Sequence, residues 1–242
     1  MKNSKLDKIQ NHIKNIINDS KRNKIVIGIS GGIDSLVALK FFMNFIDKEN
    51  IYAYYLPIQN HNSFNDVNLI SQSLGINITT CDLTNFWQNT INELQISNSD
   101  NKLNLKPKIR YLFLSSKAFE LNALSVSCLN YDEYYLGYFT KNADGAGDLY
   151  PLINFCKEEI YQLAKEWNLP IEIINKKPSA DLYENQEDEK DLNLTYKEID
   201  SYLLGQRVSN EVEQKITSLK NKSTHKHTLQ NFICKNNGLK EI

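Results

Sequence analysis

Apolar positions along the chain alternate between two periods. Leu6, Ile9, Ile13, Ile16 and Ile17 fall at helical spacing and predict an amphipathic opening helix. Residues 24–29 form a short β-branched apolar run, the pattern of a parallel strand buried on both faces. A buried helix follows over 36–45. Residues 51–56 make a second strand that Pro57 stops, and Ser63 is placed to cap a helix running to Leu74, with Gly75 at its end. A third strand spans 76–81, a helix 84–94 and a fourth strand 123–128. The polar stretch 95–104 reads as a loop, with Pro107 in the first turn of a helix reaching about Leu121. Strict strand–helix alternation implies βαβ units. The expected class is α/β, three layers (α/β/α) around a mostly parallel, doubly wound sheet.

Beyond Tyr131 the alternation stops. A short helix is expected over 132–138 and a Gly/Asp loop over 141–148. Ile160, Leu163, Ala164 and Trp167 mark an amphipathic helix over 157–167. The charged segment 176–191 has no apolar period and reads as loop or disordered. Thr195 and Glu198 form a capping-box pair opening a helix that ends near Gly205, and a last helix covers 209–220. With no repeat and no low-complexity linker, 1–242 reads as one domain with a C-terminal helical segment from about 195 to 242.

Composition narrows the function. Of 242 residues, 41% are apolar and 24% charged, and the formal net charge is −1, so the global basic field of a nucleic-acid binder is missing. No stretch approaches the ~20 apolar residues of a membrane span, and the N-terminus lacks a secretory h-region. A cytoplasmic protein with no membrane or nucleic-acid partner is expected. Cys81, Cys128, Cys156 and Cys234 contain no C-x-x-C pair, so a zinc or dithiol site is not indicated and reduced thiols are.

The sharpest chemical signal is Gly28-Ile29-Ser30-Gly31-Gly32-Ile33-Asp34-Ser35, directly after the first strand and before a helix. At that junction free N–H groups and the helix dipole favour an anion. Gly31 and Gly32 allow positive φ and a concave nest of amides around phosphate oxygens, while Ser30 and Ser35 add hydroxyls. Asp34 would repel a phosphate unless a bridging Mg²⁺ lay between them. The loop is neither G-x-x-x-x-G-K-[ST] nor G-x-G-x-x-G. S-G-G-x-D-S after a strand resembles the pyrophosphate loop of N-type ATP pyrophosphatases, which cleave ATP between the α and β phosphates and adenylate a substrate.

Downstream residues resemble one branch of that group. Asn130-Tyr131-Asp132-Glu133 with Gly137-Tyr138-Phe139-Thr140-Lys141 is similar to the NAD synthetase pattern G-T-x-N-x-x-E…G-Y-x-T-K-x-G-D, and the likeness continues through Asp144, Asp148, Pro151 and Leu152. Lys176-Lys177-Pro178-Ser179-Ala180-Asp181-Leu182 is similar to K-x-P-[TS]-A-x-L, residues 195–203 to S/T-Y-x-x-I-D-x-Y-L, and His225-Lys226 to H-K-R. The family's threonine is Cys128 here, its arginine Lys108, and the last residue of H-K-R is His227.

The resemblance implies a Rossmann-like fold of the adenine nucleotide alpha hydrolase type and a set of roles. Gly28 to Ser35, Cys128, Lys157 and Ser179 would bind ATP. Asp34 and Glu133 would hold Mg²⁺, and Asp34 and Lys157 would be catalytic. Lys108, Arg110, Lys141, Asp148, His225 and Lys226 would contact deamido-NAD. It implies a ligase that adenylates the nicotinate carboxylate and then amidates it, as a homodimer. The synthetase-like region begins by about residue 24, which leaves no room for an amidase domain and makes free ammonia the expected donor. Two other readings stay open at this stage: a different adenylating enzyme of the tRNA-modifying type, and a catalytically weak nucleotide-binding module. Residue by residue, Glu133 also suits a solvated helix, Asp144 and Asp148 suit turns, and Cys128 suits a small buried strand end.

Overall fold

A computed structural model describes residues 2–59, 62–179, 182–183 and 186–227. Its sheet has four parallel strands, β1 (Ile25–Gly28), β2 (Ile51–Tyr55), β3 (Ile78–Thr80) and β4 (Leu124–Val126), in the order β3-β2-β1-β4. Ile25 pairs with Ile51 on one side and Leu124 on the other. β1 is the centre, and Ile25, Val26 and Ile27 are fully buried, as an unbroken apolar strand requires when both faces are covered.

The period of two decides which helices meet which face. Ile25 and Ile27 face a core shared with α1 (Lys2–Ser20), α2 (Ile33–Met43), α3 (Phe64–Leu74) and α7 (Lys157–Glu166). Val26 faces the other way, onto Ala118 and Leu114 of α5 (Ser99–Glu120), beside α4 (Thr84–Glu93). α2 buries residues all round, including Leu36, Val37, Leu39, Phe41 and Phe42, and so lies inside the molecule.

The remaining helices are α6 (Tyr131–Leu136), α8 (Ile171–Ile174), α9 (Asp188–Leu192), α10 (Tyr196–Leu203), α11 (Asn210–Lys222) and α12 (Thr224–His227). Leu136, Leu192, Leu194, Ile199, Val212 and Ile216 give this region its own apolar cluster. Residues 228–242 of the expected C-terminal segment, and Ala180 and Asp181 of the K-x-P-S-A-x-L motif, lie outside the described residues.

Two expectations need correction. The stretch 95–104 is not wholly loop: α5 begins at Ser99, capped by the Asn98 side chain accepting from the Asn101 amide, and Pro107 sits inside it. Burial of Leu105 and Ile109 against Trp87 and Ile91 outweighs the missing proline donor, and the Trp87 indole donates to the Lys102 carbonyl at 3.0 Å. The charged segment 176–191 is not structureless either. It contains α9, and Asp191 gathers it by accepting from Tyr183, from Gln186 Nε2 at 2.7 Å and from Tyr138 at 3.1 Å. Among the described residues no helix is long and apolar enough to cross a membrane.

Candidate active site

A cavity of about 900 Å³ opens at the carboxyl ends of β1 and β4, where the strand order reverses and parallel sheets leave a crevice. Its floor is the β1–α2 loop. Gly31 has φ +83°, and a Cβ there would lie 2.9 Å from Cβ of Ser63, so only glycine fits. Gly31 therefore packs against α3's entry while Ser30, Gly32, Ile33 and Asp34 line the cavity. The two serines brace the turn. Ser35 Oγ accepts from the Ser30 amide at 3.2 Å and donates to the Gly32 carbonyl at 3.0 Å, and Ser30 Oγ accepts from the Gly32 amide at 3.2 Å. The Ser35 hydroxyl is thus engaged within the loop, at the cavity lining. The first-turn amides of α2 have no acceptor within the helix, and no side chain caps them.

Charge converges just above that loop. Lys157, the first residue of α7, has a side chain only 2% exposed, and its Nζ lies 2.5 Å from Asp34 Oδ2. Asn130 Nδ2 donates to Asp34 Oδ1 at 3.2 Å, and the Asn130 amide donates to Glu133 Oε2 at 3.2 Å. Asn130 thereby holds both carboxylates through one residue. It also caps α6, accepting from the Glu133 amide, a reciprocal box that the N-x-x-E spacing already encodes. Burial, followed by the Asp34 charge, pushes the Glu133 carboxyl well above the usual carboxylate range. Burial works against the Lys157 ammonium, but Asp34 and Glu133 outweigh it and raise Lys157 further. One cation facing two crowded carboxylates leaves room for more positive charge. Asp34 and Glu133 are hard oxygen donors in the number Mg²⁺ takes alongside substrate phosphates, so the residues fit that ion.

The first turn of α7 is held by acids from elsewhere. Asp132 Oδ2 accepts from the Lys157 amide and Asp200 Oδ2 from the Glu158 amide, both at 2.8 Å. Both residues are buried, and among the described residues their Oδ1 atoms have no hydrogen-bond partner. Burial, together with the Asp200 charge, raises Asp132, and burial raises Asp200.

The profile of the NAD synthase family matches residues 5–233. This chain belongs to the NAD synthase family. It is 37% identical over 238 residues to the NH(3)-dependent NAD(+) synthetase of Malacoplasma penetrans, across 95% of this chain and 94% of that protein. The NH(3)-dependent NAD(+) synthetase of Thermococcus kodakarensis is 34% identical over 199 residues, covering 82% of this chain and 78% of that one. Among solved structures, NMN synthetase from Francisella tularensis superposes with a TM-score of 0.88 at 30% identity, over 95% of this chain and 97% of that one. The NH3-dependent NAD synthetase of Campylobacter jejuni shares the fold, with a TM-score of 0.76 at 22% identity over 94% and 96% of the two chains. Neither earlier alternative, a tRNA-modifying enzyme or a weak binding module, is favoured by these likenesses.

In this NAD synthase the residues expected at ATP converge: Cys128, Lys157 and Ser179 line the cavity with the loop. Those expected at the dinucleotide are scattered. Arg110 and Lys226 line the cavity, with Arg110 Nε donating to the Leu56 carbonyl and Lys226 Nζ to the Gly137 and Phe139 carbonyls. Lys108 is exposed on α5. Lys141 donates to the His225 carbonyl at 2.7 Å, and the exposed His225 side chain stands outside the cavity. Asp148 is occupied by the Ser125 amide and hydroxyl, at 2.8 and 2.7 Å, where it fastens the 141–148 loop to β4. Asn130, Asp132 and Asp200 had no role read from the sequence. Only Asn130 carried a local signal, its cap.

Cys128 lies two residues beyond β4 in the cavity wall, and burial, then Asp34 and Glu133, pushes its thiol up, which disfavours the reactive thiolate near neutral pH. Iodoacetamide at pH 8 is expected to alkylate Cys128 at least about tenfold more slowly in the folded enzyme than in urea. Peptide mass spectrometry over time checks this, and equal rates would contradict it.

The Asp132–Asp200 pair has a signature in stability. The folded enzyme keeps a proton on the pair at pH values where the unfolded chain has lost it, so stability falls as pH rises through that window. Asp200→Asn keeps an acceptor for the Glu158 amide and removes one ionising group. Its melting temperature is expected to exceed the native one by about 3–6 °C at pH 8 and by clearly less at pH 5. Scanning calorimetry at the two pH values decides it.

Proposed function

We propose that this NAD synthase converts deamido-NAD to NAD with ATP and ammonia, releasing AMP and pyrophosphate. The observation that carries the reading is Asp34 standing between Lys157 and the Asn130–Glu133 pair at the mouth of the glycine loop. Loop amides and Lys157 bind and orient the triphosphate. The nicotinate carboxylate attacks the α-phosphorus in line, and pyrophosphate departs toward the β1–α2 turn. Mg²⁺ held by Asp34 and Glu133 would supply charge neutralisation for the departing pyrophosphate. Ammonia then attacks the mixed-anhydride carbonyl and AMP leaves, with the excess proton passing to solvent or buffer. No protein nucleophile is required, in keeping with a Cys128 that stays a thiol.

A second reading follows from the Francisella likeness, which is tighter than the Campylobacter one: the same chemistry on nicotinic acid mononucleotide. Supplying each acid separately with ATP, Mg²⁺ and ammonium, and resolving the products chromatographically, decides between them. NAD and AMP from the dinucleotide support the first reading. Product from the mononucleotide alone transfers the assignment to the second, and ADP in place of AMP rejects both.

Free thiols at Cys81, Cys128 and Cys156 support a reducing, cytoplasmic setting. Exposed Leu112 and Phe119, seven residues apart on α5 at 51% and 84% exposure, support a homodimer through that helix.

A further inference from the structure

Lys157 reaches Asp34 from the very start of α7, an unfavourable end of a helix for a cation. What holds that end is unusual. The Cys156 amide donates to Glu159 Oε2 at 3.0 Å, within the helix's own capping box. The next two amides go to carboxylates of other helices: Lys157's to Asp132 of α6, and Glu158's to Asp200 of α10. Asp132 also neighbours Glu133 in sequence, so the acid that receives Lys157's amide belongs to the helix that presents Glu133. A carboxylate oxygen of Asp132, one of Asp200 and the Cys156 thiol lie within 4.8 Å of one another, which brings α6, α7 and α10 together behind the ion pair. Neither aspartate lines the cavity, so neither touches substrate.

We propose that Asp200, acting with Asp132, is a positioning residue for catalysis: the pair fixes the axial and rotational setting of the first turn of α7, and thereby aims the Lys157 ammonium at Asp34 and the triphosphate. The inference rests on the activity proposed above. Backbone amides clamped by two fixed carboxylates cannot slide or roll, whereas a serine-type cap at Cys156 alone restrains one amide. A misplacement of about 1 Å in such a group costs about 100-fold in rate, because the cation then no longer stabilises the transition state more than the ground state.

Steady-state kinetics of Asp200→Ala and Asp200→Asn test it, with ATP, Mg²⁺, ammonium and deamido-NAD. Asp200→Ala is expected to lower kcat about 10- to 100-fold while KM for both nucleotides moves less than about threefold. Asp200→Asn retains an acceptor for the Glu158 amide and gives Asp132 a permanent donor, so kcat is expected within about threefold of native. In a Lys157→Met background, Asp200→Ala is expected to add no further loss, as coupled residues behave. Equal loss in the Ala and Asn variants, a change confined to KM, or full additivity with Lys157→Met would each overturn the proposal. If Asp200→Ala fails to fold, Asp200→Glu serves instead: it keeps the charge but displaces the clamp by a methylene, and native kcat in that folded variant overturns the idea. If the native enzyme makes no NAD, the assigned activity fails, and crystal structures then judge the clamp alone. Lys157 Nζ beyond about 4 Å from Asp34 in the Ala variant, and within hydrogen-bond reach in the Asn variant, supports it. An unmoved Lys157 in the Ala variant overturns it.

Discussion

Asparagine at position 34 is expected to lower NAD formation about 1,000-fold while the enzyme stays folded. Among the described residues Asp34 is the one carboxylate that pairs with Lys157, and it also accepts from the Asn130 side chain and stands in the first turn of α2. Asn keeps the shape and an acceptor for Asn130, so packing changes little. It removes the charge that holds Lys157 in place and half of the hard-oxygen pair. Loss of one such electrostatic group costs about 2.7–4 kcal/mol of transition-state stabilisation, and the upper end of that range is the fold-change stated. A buried lysine robbed of its partner ordinarily threatens the fold. Here Glu133 stands close enough to respond: its carboxyl is held high by burial and by the Asp34 charge, and without Asp34 it ionises more readily and becomes the counter-ion. Kinetics at saturating ammonium, with circular dichroism for the fold, measure both halves. An Asp34→Asn enzyme within about tenfold of native kcat/KM removes Asp34 from the chemistry.

Replacing Gly31 by valine is expected to cost about 2–4 kcal/mol of stability and to abolish ATP binding. The left-handed φ of +83° alone costs a β-branched residue on the order of 1–2 kcal/mol. The added Cβ would also meet Cβ of Ser63 at 2.9 Å and Cβ of Asp66 at 3.1 Å. Asp66 cannot retreat freely, because Lys176 pairs with it at 2.6 Å and draws the strand of chain after α8 over the loop. The strain therefore pushes the β1–α2 turn into the space meant for phosphate. Gly32→Ala is the control: φ is −97° there, and the nearest atom to an added Cβ is Ser30 Oγ at 3.4 Å. It is expected to melt as the native enzyme does. Urea titration ranks the two variants and isothermal calorimetry with ATP reads the site; similar midpoints would show that the turn tolerates a side chain at Gly31.

The parts of the molecule that were readable beforehand share a physical basis. β1 could be found because a strand covered on both faces must be apolar without interruption, and Ile25 to Ile27 satisfy that locally. The glycine loop could be found because its function is set by backbone conformation, which Gly31 writes into the sequence. The Asp34–Glu133 pairing came only from the ordered motif, since nothing local to either residue announces the other. The start of α5 is not legible because Asn98 looks like any loop asparagine until the apolar face at Leu105 and Ile109 is seen against Trp87. The α9 segment is not legible because its order comes from Asp191 collecting Tyr138, Tyr183 and Gln186, polar contacts that have no period. Asp132 and Asp200 stayed hidden for a related reason: each is an ordinary surface-type residue in its own helix, and burial arises only when α6, α7 and α10 assemble.

The ion pair at the heart of the enzyme joins residues 123 positions apart. Synthesis therefore completes all four strands and the glycine turn before the cation for Asp34 is added to the chain. A chain stopped short of α7 would carry the Asp34 charge without Lys157 to offset it, and is expected to hold a triphosphate poorly.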